Sequence, residues 1–378
     1  MNHRVVVWIA GTGWDAVPGT DKRLVKAFPN GQQVLWVDPP VPITLRALLS
    51  RSHRDALRAP EHVYRNVRRI KVPVLPGVTR PAVRKLTSIL LNRAIHRTLE
   101  INGMEPSAVV VAFPLAKFPP QLQGTKILYV TDDWLGGSSL MGFSRRSVMD
   151  ALVSNLKNAD RVAVISDHLV HSLPYQPDER NGRPAIEAMD VIPNGCPEPL
   201  FGPSLQPEFV AGLVGQLNER LDLDVLESVQ ATGVRMKIIG PRSDRNPVFR
   251  ERLDRLLSAE NVVWLGQLPA EDAAHEMARF GVGLTPYADT PFNRASFPLK
   301  TLEYLAAGVP VVSTDMPATR WLNAPHVQIA SGPGDFSQMV LTALQNSNGP
   351  DVINECRIFA RRHTWSARAL RFMELIIN

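Results

Sequence analysis

The stretch SFPLKTLEYLAAGVPVVST, residues 296–314, predicts a helix that ends abruptly and is followed by a buried strand. Ser296 is a good helix cap, because its hydroxyl accepts a backbone N–H of the first turn, and Pro298 suits that turn because no donor is needed there. Gly308 supplies a left-handed C-cap, and Pro310 prevents the helix from continuing. The apolar residues at helical spacing are Leu299, Leu302, Leu305 and Ala306. We therefore expect a helix–turn–strand unit of an α/β sheet.

Lys300 is unusual in the first turn of this helix. The positive end of the helix dipole disfavours a cation there by roughly 0.3–1 kcal/mol. Exposed N–H groups together with a lysine make an anion site, and Glu303 shares a helix face with Lys300. Two interpretations follow from this spacing. Either Lys300 holds a phosphate and Glu303 holds sugar hydroxyls, or the two residues form an ordinary surface ion pair.

Predicted strands and helices alternate in two successive series along the chain. The strands of the first series are 5–11, 33–40, 107–114, 126–133, 161–166 and 190–195, and those of the second are 208–217, 235–241, 261–268, 282–287 and 309–314. The proline-rich segment 196–207 between them has the composition of a linker. This rhythm predicts an α/β protein of two Rossmann-like, doubly wound domains, with ligands bound beyond the carboxyl ends of the strands.

Composition and charge restrict the class of protein. The 378 residues have a net charge of +6, and residues 42–100 alone hold 13 basic and 3 acidic side chains. The two cysteines, Cys196 and Cys356, are too few for a disulfide framework or a zinc cluster and fit a reducing cytosol. No apolar run reaches the length of a membrane span, and the N-terminus lacks a signal-peptide pattern. We expect a cytoplasmic protein.

The basic segment 42–100 suggests a partner of its own. Its part 79–101 reads as a helix with an apolar stripe and basic residues on the other faces. The stripe consists of Val83, Leu86, Leu90, Ala94 and Ile95. A basic amphipathic surface can lie on an anionic membrane, which would make the protein peripheral on the inner face of the plasma membrane. The alternative is a core helix with a solvated basic face. Nucleic-acid binding is not expected, because no recognised motif accompanies the charge.

The second half of the chain resembles the donor-binding domain of GT-B-fold glycosyltransferases of the family 4 type, the bacterial cell-surface polysaccharide kind. The segments that bear the resemblance are PLKTLEYLAAGVPVVST, VVWLGQLP, GLVGQLNERLDLDVL, HTWSARA and VIPNG. The resemblance implies an acceptor-binding domain over 1–197 and a nucleotide-sugar-binding domain over 208–355. It also implies a C-terminal helix, 356–378, that packs across the cleft between the two domains.

The resemblance assigns roles to particular positions of the second half. Lys300 matches the basic residue on the donor pyrophosphate, and Glu303 matches the carboxylate on the ribose hydroxyls. Gly215 matches the tight turn where the backbone approaches phosphate. Gln267 and Leu268 match the turn that contacts the nucleotide base.

A second group of candidates lies in two loops of the same half. Arg220 is in the loop that supplies a second phosphate-binding cation in the family, although it is also placed to pair with Glu219 or Asp222. Asn293 and Arg294, just before the Lys300 helix, are candidates for contact with the transferred sugar or its phosphate.

Candidate residues of the first half follow two of its strands. The stretch YVTDDW places Asp132 and Asp133 at a strand end, where one of them can accept the acceptor's proton if the enzyme inverts. The alternative is that one of them caps the next helix while the other is solvated. Gly11 and Gly13 lie in a turn after the first strand that can approach donor or acceptor, or is an ordinary strand-to-helix turn. The turn lacks the G-x-G-x-x-G spacing of a dinucleotide fingerprint.

These features predict a glycosyltransferase of the hexosyltransferase type that moves a sugar from a nucleotide diphosphate sugar to a glycan or polyprenyl-linked acceptor. No cofactor and no metal are expected, because two cations and a helix N-terminus can stabilise the leaving pyrophosphate. The family commonly has an earlier glutamate where this chain has Ala295. Two alternatives therefore stay open: a GT-B nucleotide-sugar epimerase, and a non-catalytic nucleotide-sugar-binding or membrane scaffold protein.

Overall fold

The computed structural model describes residues 3–16, 18–42, 60–77, 80–139, 141–174, 189–199, 206–346 and 349–377. The chain divides into two compact units. One consists of Met1–Pro193 together with Arg368–Asn378, and the other of Asn194–Ala367. The domain boundary drawn from the sequence at residue 197 therefore lies slightly inside the second unit.

The first unit contains a large, mostly parallel sheet. Its strands are β1 (His3–Ile9), β2 (Gln33–Val37), β3 (Val41–Pro42), β4 (Glu61–Tyr64), β5 (Val67–Ile70), β6 (Pro73–Val74), β7 (Met104–Val111), β8 (Thr125–Val130), β9 (Arg161–Val164) and β10 (Asp190–Val191). Eight of them form one sheet in the order β10-β9-β8-β7-β1-β2-β5-β4, and only β4 and β5 pair antiparallel. Strands β3 and β6 form a separate parallel pair. The helices are α1 (Thr20–Lys26), α2 (Pro81–Ile101), α3 (Arg145–Asn158) and α4 (Asp167–Ser172).

The second unit contains a six-stranded sheet in which every pair is parallel. Its strands are β11 (Glu208–Val214), β12 (Met236–Ile239), β13 (Val262–Trp264), β14 (Phe280–Thr285), β15 (Val311–Thr314) and β16 (Val327–Ala330). The following helices are α5 (Leu223–Ala231), α6 (Pro247–Leu257), α7 (Ala270–Met277), α8 (Pro291–Ala295), α9 (Leu299–Ala307), α10 (Pro317–Leu322), α11 (Pro333–Asn346), α12 (Pro350–Arg361) and α13 (Trp365–Ile377). The strand order β13-β12-β11-β14-β15-β16 is that of dinucleotide-binding folds, with its switch point between β11 and β14.

Helix α13 begins in the second unit, and its residues from Arg368 onward belong to the first. Within the first unit, the ring of Phe372 lies 5.2 Å from the rings of both Trp8 and Tyr129. Trp8, Tyr129 and Phe372 are fully buried. Aromatic burial of this size accounts for the assignment of these last residues to the first unit. The single helix expected over 356–378 is instead the end of α12 followed by α13. Among the described residues, no helix is both long and apolar enough to cross a membrane.

Tyr304 of α9 holds apart the carboxyl ends of β11 and β14. The N–H groups of Ala211 and Gly215 donate toward β12, so the intervening Val214 N–H points toward β14. Its acceptor, however, is the Tyr304 hydroxyl at 2.8 Å. Gly283 makes room for the tyrosine, because a Cβ at that position would lie 2.5 Å from the ring. The register of β11 with β14 accordingly ends before both strands do.

The start of α9 differs from the prediction. The helix begins at Leu299 with Pro298 at the N-cap, and no side chain caps it. Ser296 instead donates its hydroxyl to the Phe292 carbonyl at 2.9 Å, because the short helix α8 immediately precedes it and leaves that carbonyl available. The predicted C-cap is confirmed, since Gly308 has a φ of 88°. Apart from its first turn, α9 is buried on nearly every face.

The apolar stripe predicted on α2 is not its buried face. The side chains that the fold buries are Thr87, Leu91, Ile95, Thr98 and Leu99. Of the predicted stripe only Ile95 is among them, whereas Leu86 is 41% exposed, as is its neighbour Ile89 at 40%. Helical periodicity identified the helix correctly, but the choice of face depends on which side chains meet the sheet.

We expect Tyr304→Phe to destabilise the protein by about 1–3 kcal/mol, because it leaves the buried Val214 N–H without its acceptor. Urea unfolding followed by circular dichroism measures this loss. Tyr64→Phe is the control, because the ring contacts of Tyr64 with Trp14 and Lys26 survive the substitution. Equal stability of the two variants would contradict the role assigned to the Tyr304 hydroxyl.

Candidate functional site

Three glycines shape the loops at the carboxyl ends of β11, β12 and β13. Gly240 donates its N–H to the Gly266 carbonyl at 2.7 Å and has a φ of +143°. A Cβ on Gly240 would lie 1.8 Å from the Gly215 carbonyl oxygen, whereas a Cβ on Gly215 would meet nothing within 4 Å. Gly240 is therefore required by the protein itself, while Gly215 borders open space. Sequence reasoning selected Gly215 and missed Gly240.

Arg220 lies at the switch point and is held there by Asn293. Its Nε donates to Asn293 Oδ1 at 2.9 Å, and Asn293 Nδ2 donates back to the Arg220 carbonyl at 3.0 Å. The guanidinium carbon lies 4.9 Å from the ring centroid of Phe292 and 5.6 Å from that of Tyr287. These contacts fix the side chain through Nε and its flat face, so its two Nη groups are the ones left to meet an anion.

The alternative pairing of Arg220 with neighbouring carboxylates is not formed among the described residues. Glu219 accepts the N–H groups of Arg245 and Asn246, each at 2.6 Å. Asp222 instead caps α5 by accepting the Val225 N–H at 3.2 Å. Both carboxylates are thus used to order the loops around Arg220.

Lys300 and Glu303 form an ion pair on α9, through Nζ and Oε2. Their side chains are 24% and 9% exposed, so this is not the solvated surface pair of the simpler interpretation. A carboxylate that is nine-tenths buried needs a cation or several hydrogen-bond donors to remain charged. Lys300 supplies that charge in this structure.

The pKa of the Tyr287 phenol is affected by both Arg220 and Glu303. Burial raises the pKa of Tyr287, the Arg220 charge lowers it, and the Glu303 charge raises it. Both charged groups therefore act on the same ring. Arg220 follows β11, and the Lys300–Glu303 pair lies on α9 after β14, so the three candidates follow the two strands that flank the switch point.

Asn293 and Arg294 both contact other residues of the protein. Asn293 is buried, and its amide atoms bond to Arg220 and to the Ala288 carbonyl. Arg294 pairs with Asp289 on the exposed surface, and this contact lowers the pKa of Asp289. Asn293 therefore positions Arg220, and the expected contact with the transferred sugar is not supported at either position.

The predicted base-contacting turn follows β13. Gly266 has a φ of +67°, which turns the chain before Gln267 and Leu268. Gln267 is exposed and Leu268 is half-buried. The Trp264 indole donates to the Gly240 carbonyl at 3.1 Å, so this turn is tied to the glycine loops.

The turn after β1 is ordered by a carboxylate that sequence reasoning missed. Asp21 is buried and accepts the Gly11 N–H at 2.9 Å, and burial raises its pKa while such hydrogen bonds lower it. A Cβ on Gly11 would lie 2.7 Å from the Ala112 carbonyl oxygen, so the glycine is needed by the neighbouring strand-end loop. Gly13 borders open space.

The two carboxylates after β8 have different surroundings. Asp133 accepts the Gly136 N–H at 2.8 Å and so caps the following turn, as the simpler interpretation holds for one of the pair. Asp132 accepts the Asp133 N–H at 3.0 Å and is half-buried. Both carboxylates are half-buried, and each accepts a backbone N–H. No group of three or more potential metal-ligating side chains occurs among the described residues.

Comparison with known proteins shows which sequences and folds this chain is similar to. Residues 209–346 match the family model of glycosyl transferases group 1. The chain is 28% identical over 256 residues to a protein of Bacillus subtilis named as a teichuronic acid biosynthesis glycosyltransferase, TuaH. That alignment covers 63% of this chain and 62% of the relative, so it spans less than two thirds of the relative's length.

Solved structures match over almost the whole chain. A sucrose-phosphate synthase from Thermosynechococcus elongatus has a TM-score of 0.69 at 15% identity, covering 99% of this chain and 98% of that chain. Anabaena Alr3699/HepE, crystallised with UDP and glucose, has a TM-score of 0.66 at 14% identity and covers 99% of both chains. These likenesses confirm the predicted GT-B fold class. The family match confirms the resemblance to glycosyltransferases and gives the epimerase alternative no support.

We expect Gly240→Ala and Gly215→Ala to differ sharply in stability. The first forces a Cβ into the Gly215 carbonyl at a positive φ and should cost more than about 2 kcal/mol, whereas the second changes stability by less than about 1 kcal/mol. Thermal unfolding of both variants, monitored by calorimetry, tests this. A Gly240→Ala protein as stable as Gly215→Ala would show that the two loops are not packed as described.

Proposed function

We propose that this protein transfers a sugar from a nucleotide diphosphate sugar to an acceptor. Its residues 209–346 match glycosyl transferases group 1, and its fold is GT-B. The second unit binds the donor, and the first unit binds the acceptor. The observation that carries this proposal is that Arg220, held by Asn293, and the buried Lys300–Glu303 pair both follow the strands of the switch point, where such sheets bind phosphates.

The chemistry explains why two cations belong there. Breaking the glycosidic bond leaves negative charge on the pyrophosphate, and cations held in place before reaction stabilise that charge most effectively. Arg220 is oriented by Asn293 and two aromatic rings, so it needs little reorganisation. Lys300 turns from Glu303 to the phosphate when the donor binds. Glu303 then accepts hydrogen bonds from the ribose hydroxyls, which replace the lysine as its donors.

The remaining donor contacts come from the backbone. Gly215 lets its loop approach the pyrophosphate, since its Cα borders open space. The turn at Gln267 and Leu268 holds the base. We propose that transfer needs no cofactor and no metal ion, because the charge of the leaving group is met by Arg220, Lys300 and the first turn of α9.

In the first unit, Asp132 is the carboxylate that we assign as general base for an inverting transfer. Its neighbour Asp133 is committed to the Gly136 cap. The absence of the family's earlier glutamate, with Ala295 buried in its place, is the observation that favours the non-catalytic scaffold as second candidate. A scaffold would bind nucleotide without transferring the sugar.

We further propose that the protein works at the inner face of a membrane, in assembly of a cell-surface polysaccharide. The relative from Bacillus subtilis is named for teichuronic acid biosynthesis, a cell-surface setting. The outer face of α2 supports membrane contact, because Leu86 and Ile89 are exposed there beside Arg93 and Arg97. Basic residues near an anionic surface contribute roughly 1 kcal/mol each to binding.

We expect UDP, or another nucleoside diphosphate from a panel, to stabilise the wild-type protein against heat. At 100 times its dissociation constant a ligand should add about 2.7 kcal/mol, and Lys300→Ala should abolish the shift. Differential scanning fluorimetry, with each variant compared to its own ligand-free baseline, measures the effect. UDP leads the panel because Anabaena Alr3699/HepE was crystallised with it.

Two further variants make that experiment decisive. Lys300→Met combined with Glu303→Gln removes both charges, so it avoids leaving a buried carboxylate unpaired and keeps the protein folded. Arg255→Gln is the matched control, because it removes one cation from an exposed pair with Glu251 on α6. The donor-site proposal fails if no nucleotide stabilises the folded wild type, or if Arg255→Gln weakens the shift as much as Lys300→Ala.

We expect the double change Leu86→Gln and Ile89→Gln to lower binding to vesicles containing phosphatidylglycerol at least threefold, because it removes the exposed apolar residues of α2. Sedimentation with vesicles at low salt measures binding, which should weaken as salt screens the arginines. Val248→Gln is the control, since Val248 is 69% exposed on helix α6 of the second unit. Unchanged binding of the α2 variant would refute a membrane role for this face.

A further inference from the structure

The first unit contains a cavity of about 270 Å³ at the carboxyl ends of β1, β2 and β7, walled on one side by α2. Gly11 lies at its edge, which gives that predicted residue a place beside a binding space. Small-molecule sites usually enclose roughly 300–1,000 Å³, so this cavity suits one part of a larger ligand. Among the residues that the structure describes, none that lines this cavity is acidic.

Two polar atoms of α2 are left without partners on the wall of this cavity. Arg84 Nη1 and Thr87 Oγ1 are both buried and make no hydrogen bond among the described residues. Thr87 is 7% exposed and is one of the residues that line the cavity. Unpaired buried polar groups are costly, which points to a ligand that supplies acceptors. Arg84 and Thr87 lie three residues apart and therefore share a helix face.

The positive charge of the cavity's polar lining residues indicates which chemical group of a ligand would bind there. Arg84, Thr87 and Lys117 are the polar residues on which the phosphate assignment depends, and all three line the cavity. A guanidinium with an adjacent hydroxyl matches the oxygens of a phosphate better than it matches a neutral sugar.

The rest of the wall is apolar. Leu91, Phe113 and Phe143 line it, and the two phenylalanine rings meet edge to face with their centroids 5.9 Å apart. Such a wall favours hydrocarbon over sugar hydroxyls, which would lose their hydrogen bonds with water there.

We propose that this cavity binds the phosphate end of a single-chain lipid phosphate, of the isoprenoid type, with its first carbon atoms against the aromatic wall. Arg84, Lys117 and Thr87 hold the phosphate. The opposite face of α2 presents Leu86, Ile89 and Arg93 to solvent, so a helix lying on a membrane would also border the lipid. That this lipid is the acceptor's carrier rests on the proposed function, whereas the binding itself does not.

The test is direct binding of farnesyl phosphate, below its micelle concentration, to the full chain by calorimetry. We expect farnesol and inorganic phosphate each to bind at least tenfold more weakly, because each lacks one half of the ligand. Arg84→Gln should weaken farnesyl phosphate at least tenfold. Arg255→Gln, which changes an exposed arginine of α6 in the second unit, is the control, and it should bind as the wild type does.

Thr87→Val tests whether weaker binding of a variant could be due to misfolding. It replaces an unpaired buried hydroxyl by a methyl group, so it should leave the protein at least as stable while weakening farnesyl phosphate three- to tenfold. A purely structural threonine would give the gain in stability without the loss of binding, and that result would overturn the proposal.

Other ligands and variants separate the remaining explanations. Equal or tighter binding of a short-chain phosphatidic acid would overturn the single-chain assignment in favour of a bilayer phospholipid. Farnesol binding as tightly as farnesyl phosphate would make the cavity a mere apolar void. Lys300→Ala should keep farnesyl phosphate binding intact. If the wild type bound farnesyl phosphate but no nucleotide, the proposed function would be refuted while the lipid-binding proposal would be supported.

Discussion

The hydrogen bond from the Val214 N–H to the Tyr304 hydroxyl determines how the second unit presents its switch point. A backbone donor that points toward β14 is satisfied by a side chain instead, so β11 and β14 separate before their ends. Arg220 lies in the loop after β11 and Asn293 lies on α8 after β14, and the separation of the strand ends gives these residues room. Tyr304 also directly follows Glu303, so anchoring its ring fixes the rotation of α9 and with it the direction of the Lys300–Glu303 pair.

That pair explains how an unliganded site keeps a buried carboxylate. Glu303 is 9% exposed and Lys300 is its cation. A nucleotide-sugar donor that binds both Lys300 and Glu303 would replace the ion pair by other charge-assisted hydrogen bonds. Because both side chains are already largely buried, little further desolvation cost would arise on binding. Arg220 differs, because Asn293 and two rings hold it in place whether or not a ligand is present. Under the proposed function, one cation is therefore fixed and the other changes its partner when the donor binds.

Sequence reasoning succeeded where the cause is local and failed where it is distant. The alternation of strands and helices and the Gly308 cap follow from neighbouring residues, and the structure contains both. The need for glycine at 240 depends on the carbonyl of Gly215, which no local pattern reveals. The positioning role of Asn293 likewise depends on Arg220, 73 residues away. Ser296 was misassigned because a second, shorter helix precedes α9 and uses its hydroxyl.

Helix α2 shows why burial decides function where periodicity cannot. Its inner face contains Leu91 and Ile95 in the core, and near its first turns the same face leaves Arg84 and Thr87 beside a cavity. Its outer face leaves Leu86 in solvent, at an energetic cost that a helix serving only the core would avoid by a polar residue. An apolar residue outside and unpaired donors inside are both unfavourable for an isolated protein. A lipid surface on one side and a lipid phosphate on the other would relieve both costs, and no single local feature of the sequence accounts for the two together.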